Sequence, residues 1–126
     1  DSVGYRGQPA LFPAVAVGGI DKVRSTECKT TEWAAKHLGI PAGSKLAHAY
    51  YDHITITPGL DGHVWVIDSG GAAVVVTGAV GKGRLAANGM ATGLAQGDLD
   101  TPPEGLEKEL LIKLVEWLAG SAGVKQ

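Results

Sequence analysis

The stretch "HAYYDH", residues 48–53, gathers His48, Asp52 and His53. Imidazole and carboxylate groups so close in sequence are the raw material of general acid–base chemistry or of a metal site. Two nucleophile candidates stand elsewhere, Cys28 in "STECKTT" and Ser69 in "IDSGGA". A third chemistry is suggested by "GAVGKGRLAANG", residues 78–89, where glycines frame a lysine as they do in phosphate-cradling loops.

Each candidate meets a physical requirement of its own. In an extended strand His48 and Asp52 share one face and His53 points to the other. A metal ion needs at least three ligands converging on one point, so no metal and no cofactor is expected here. His48, Asp52 and His53 remain the candidate catalytic residues of a small hydrolase or lyase. A hydrogen-bonded structural role for Asp52 or His53 is the competing reading. Cysteine nucleophiles in α/β folds sit on sharp elbows flanked by glycines, and "STECKTT" contains none. Ser69 is beside glycines, but in a tight turn between two strand-like runs rather than ahead of a helix. Carboxylate pairs could be drawn from Asp61, Asp68, Asp98 and Asp100, residue types that are also common in turns.

The lysine loop fails as a phosphate site. A Walker loop needs a glycine five positions before its Gly-Lys and a Ser or Thr after it. Those positions hold Val76 and Gly83, and the segment runs into a strand rather than a helix N-terminus. It reads as a glycine-framed hairpin turn with Lys82 and Arg84 in solvent.

The elements that would position these groups are legible in outline. The chain has 126 residues, enough for one core, and is read as a single domain, 1–126, with an extended arm at 1–10 and a tail at 121–126. "LFPAVAVGG", 11–19, reads as a short strand, and "STECKTTEWAAKHLGIP", 25–41, carries the caps and the Gly-Pro stop of a short helix. Residues 45–58 are rich in β-branched and aromatic types. Runs at 63–68, 72–80 and 84–89, separated by short glycine turns, predict an antiparallel meander over 63–89. "TPPEGLEKELLIKLVEWLAG", 101–120, predicts a helix with Leu106, Leu110, Leu111, Leu114, Trp117 and Leu118 toward the core. The fold class expected is α/β, with a mixed sheet of about five strands and packed helices.

Composition narrows the partners. Hydrophobic residues make up 44% and charged ones 19%, at a net charge of −2. That balance gives no electrostatic reason to bind nucleic acid or an anionic membrane, and no apolar run has the length of a membrane span. One cysteine cannot close an internal disulfide. The first residues have neither a basic nor an apolar signal region, so the expectation is a chain without a retained signal peptide, open to being a processed secreted one.

From about residue 53 to 120 the chain resembles the carboxy-terminal part of a class I glutamine-amidotransferase-like domain. The type is that of trehalose-utilisation proteins and the middle domain of some β-galactosidases. "HITITPGL", 53–60, is similar to that family's H-P-I-T-x-G-L stretch, one residue longer and without the proline after histidine. "VGKGRLAANG" and "LLIKLVEWLAG" follow in the family's order. The resemblance implies a flavodoxin-like parent sheet of which this chain is a remnant. Catalytic members use a glycine-flanked cysteine elbow and a late histidine–glutamate pair, and neither has a counterpart here. The resemblance therefore implies a catalytically silent module, carbohydrate-associated, acting with a protein partner or as a homo-oligomer.

Overall fold

A computed structural model of the chain describes residues 10–24, 27–47, 52–90 and 105–120. Seven strands and two helices follow in the order β1 (Ala16–Arg24), β2 (Glu27–Thr30), α1 (Glu32–Leu38), β3 (Lys45–Ala47), β4 (Asp52–Pro58), β5 (His63–Asp68), β6 (Ala73–Val80), β7 (Gly83–Asn88) and α2 (Gly105–Leu118). The fold is α/β. Five strands form one sheet in the order β3-β2-β5-β6-β7, and β1 pairs with β4 in a second.

The expected meander is present as β5-β6-β7. Its last turn is two residues long, because Val80 pairs with Gly83. Gly81 takes φ +57° there, a backbone state that side chains with a Cβ rarely adopt. Every pairing among the described strands is antiparallel, where a mixed sheet was expected. The reason lies in the connections. Between consecutive strands of the large sheet they are tight turns, from β5 to β6 and β6 to β7, and, for β2 to β3, a helix that returns the chain beside the strand it left.

Other boundaries shift for identifiable reasons. The helix expected over 25–41 is shorter, and Glu27–Thr30 is a strand whose residues alternate exposed and buried between β3 and β5. Helix α1 starts at an N-cap Thr31, whose hydroxyl accepts from the Ala34 amide and donates to the Val64 carbonyl at 2.6 Å. One side chain thus caps the helix and ties it to β5. Gly39 closes α1 in the left-handed region at φ +74°, as its place before Pro41 suggested. Residues 45–58 are two strands in different sheets, not one. The strand expected over 11–19 begins at Ala16 and runs on to Arg24. The capping residues expected at 101–104, the arm at 1–9 and the tail at 121–126 lie outside the described residues.

Two hydrophobic clusters hold the layers. Helix residues Ala34, Leu38, Leu110 and Leu114 pack with Trp65, Val74 and neighbours of the large sheet. Val15, Ala16 and Ile56 of the β1–β4 side pack with Ala73, Val76 and Ala87. Strand β6 supplies both clusters, which is why it is an almost unbroken apolar run rather than an alternating one. Trp65 meets Trp117 edge-on, with centroids 5.3 Å apart. Leu118 is not in the core as expected but 40% exposed, although it continues the Leu110–Leu114 stripe, and it is the last residue of α2.

Arg84 is not simply solvated. It donates to the Trp117 carbonyl at 2.6 Å and lies 4.8 Å from the centre of that indole. The last turn of α2 has no basic residue of its own, so a cation from β7 meets the negative end of its dipole, sharing the Trp117 carbonyl with the Gly120 amide. No helix among the described residues is long and apolar enough to cross a membrane.

Candidate functional site

His53, near the start of β4, is 2% exposed. Its Nε2 lies 2.9 Å from Oδ2 of Asp68, the last residue of β5. Asp68 is equally enclosed, and its other oxygen, Oδ1, accepts from the Gly70 and Ala72 amides at 2.9 Å each. The carboxylate thereby closes the turn that follows it, with Asp68 N–H donating to the Ala72 carbonyl and Gly71 N–H to the Asp68 carbonyl. Burial acts to raise the Asp68 pKa. The bond from His53, the Ala72 and Gly70 amides and the His53 charge together outweigh it and hold the carboxyl below its ordinary value. An ionised carboxylate only accepts, so His53 Nε2 carries the proton between them.

Strand β4 reaches Asp68 because of Gly89. Its amide donates to the Val74 carbonyl at 2.8 Å, and its carbonyl accepts from the Ile54 amide at 2.9 Å. It sits between β4 and β6, and a Cβ there would collide with the Ile54 carbonyl oxygen. The next residue, Met90, bridges to His53 itself.

The other candidates fall as follows. Asp52 opens β4 opposite Arg24, and its side chain lies outside the described residues, as does His48 entirely. The structure joins His53 to Asp68, and the expected grouping of His53 with His48 and Asp52 falls outside the described residues. Cys28 is Asp68's partner across the β2–β5 ladder. Burial, and then the Asp68 charge, push its thiol up to about 11, so it is protonated at neutral pH and a poor nucleophile. Ser69 is exposed at the turn. Cys28, Asp68 and Ser69 border a cleft of about 220 Å³ with Glu27, Lys29 and Lys45. His53 is not among the residues lining it, so this imidazole presents no base to either nucleophile there. Among the described residues no three His, Cys, Asp or Glu side chains come together as metal ligands.

A second cluster escaped the sequence reading. The Trp33 indole lies between two imidazoles, stacked on His63 at 3.9 Å and tilted against His37 at 4.1 Å. Burial, then Lys36, then His63, lower the His37 pKa. The i, i+4 spacing of Trp33 and His37 was a usable signal; His63 comes from β5, which only the fold brings there.

No family model, curated protein or solved structure matches the chain.

Proposed function

We propose that this chain is a non-catalytic interaction or accessory module that works within a larger assembly. The enclosed His53–Asp68 pair carries the reading. The pair joins β4 to the β5–β6 turn, and the thiol on the cleft is held protonated. A catalytic base needs reach to a substrate proton, and His53 has no open face. The resemblance to a glutamine-amidotransferase-like domain supports the same reading, since the elbow cysteine and late histidine–glutamate pair have no counterparts. It is also what motivates the carbohydrate association and the flavodoxin-like parent sheet, whose parallel strands would lie beyond those described.

The test is turnover by the purified chain on ester, amide and glycoside substrates, beside His53→Gln. The expected result is no rate above background for either protein. A rate that His53→Gln abolishes would overturn the reading in favour of a hydrolase or lyase working through His48, Asp52 and His53.

A further inference from the structure

We propose that Asn88 is a covalent modification site, converted to aspartyl and isoaspartyl forms by attack of the Gly89 amide nitrogen once the end of β7 opens. Asn88 is the chain's one asparagine, and glycine follows it. An asparagine side chain reacts through the backbone beside it, when the next residue's amide nitrogen closes a succinimide ring onto Cγ. A Cβ on that next residue hinders the closure, and glycine has none. Position 89 must be glycine here, because a Cβ would collide with the Ile54 carbonyl oxygen. The close approach of β4 thus gives Asn88 its least hindered neighbour.

The folded chain primes one partner and restrains the other. The Asn88 side chain is exposed at the end of β7, so water reaches it. Its Oδ1 accepts from the Met90 amide at 2.9 Å, which folds the side-chain carbonyl back along the Gly89 peptide and draws electron density from Cγ. The nucleophile is held back. A peptide nitrogen attacks only after losing its proton, and the Gly89 N–H donates to the Val74 carbonyl at 2.8 Å. Asn88 also pairs with Val75 on β6, and ring closure must twist it out of that ladder. The reaction is therefore gated by opening of the stretch from Asn88 to Met90, which meets Ile54 and His53 on β4.

Once the stretch opens, a solvent base takes the Gly89 amide proton and the nitrogen bonds to Cγ. The Cγ–Nδ2 bond then breaks, and the nitrogen takes a proton from water and leaves as ammonia. Water next opens the ring at Cγ, giving aspartate, or at the Asn88 main-chain carbonyl, giving isoaspartate with a backbone longer by one carbon. The longer backbone shifts Gly89 out of register with Val74 and Ile54. Opening is reversible and this chemistry is not, so each event leaves a chain in which β4 has lost its hold on Gly89.

The full chain, folded and in denaturing urea, is held at mildly alkaline pH and followed by intact mass and peptide mapping. Isoaspartyl-specific methylation identifies the longer backbone, and hydrogen exchange measures opening at the Gly89 amide. Conversion at Asn88 is expected in urea, and in the folded chain at a rate lower by at least about tenfold, tracking the Gly89 exchange protection. Asn88→Gln, which would have to close a larger ring, should stay unconverted at that position. The isolated isoaspartyl chain should have lost protection at the Gly89 and Ile54 amides. Equal rates in the folded and unfolded chains, or no conversion at Asn88 in urea, overturn the proposal. So does an isoaspartyl chain that keeps both amides protected. No substrate or partner takes part, so these outcomes leave the non-catalytic reading to be decided by turnover that depends on His53.

Discussion

Asp68 holds His53 with one carboxylate oxygen and its own hairpin turn with the other, so a single side chain joins β4 to the end of β5. The bond to His53 is enclosed, and the two to the turn amides are partly so. Acid–base residues in this geometry act as a bolt between two sheets. The imidazole stays in place because the backbone around it is fixed from β7 as well as from β5.

That fixing depends on Gly89. Its two backbone bonds, to Val74 and Ile54, leave no room for a Cβ. Gly89→Ala is expected to cost about 3 kcal/mol or more, since the colliding atoms are backbone that cannot turn aside. Urea denaturation of the two proteins measures it, and a cost under about 1 kcal/mol would mean that β4 and β6 are not held so closely.

Thr77 is fully buried on β6, and its hydroxyl has no hydrogen-bond partner among the described residues. Valine has nearly the same shape and no polar atom to desolvate. Thr77→Val is therefore expected to stabilise the fold by about 1 kcal/mol, read as a higher denaturation midpoint at unchanged slope.

Burial of His37, with Lys36 and His63 nearby, makes stability depend on pH. The His37 pKa is lowered in the folded chain, so the unfolded chain takes up the proton first. The His37 contribution is complete above the ordinary histidine value of about 6.5 and falls as pH drops below it, levelling off beneath the folded pKa. Unfolding free energy followed from pH 8 to 5 should decline less in His37→Gln than in the parent chain. Equal slopes would remove His37 as the cause.

Much of this architecture can be read before any coordinates. Glycine turns between β-branched runs specify the meander, and Gly39 before Pro41 marks the end of α1. Strand β2 is hidden because "STECKTT" offers helix caps, and four residues are too few for their alternation to stand out. Its identity comes from pairing on both sides with β3 and β5. The candidate site is half legible. His53 draws attention at once, but its partner is an aspartate before a glycine turn, where aspartate is ordinary. Their meeting depends on the approach of β4 at Gly89, a tertiary fact that no local spacing records. Arg84 is missed for the same reason, since its carbonyl partner is on α2.

The account turns on the bond between His53 and Asp68 being structural. A double-mutant cycle of His53→Leu and Asp68→Asn, read by equilibrium unfolding, isolates it, because asparagine keeps an acceptor for the turn amides. A coupling of about 1.5–3 kcal/mol is expected for a buried bond to a charged group. A coupling below about 0.5 kcal/mol would contradict the account, showing that the pair contributes little to holding β4 in place and leaving its chemistry open to another use.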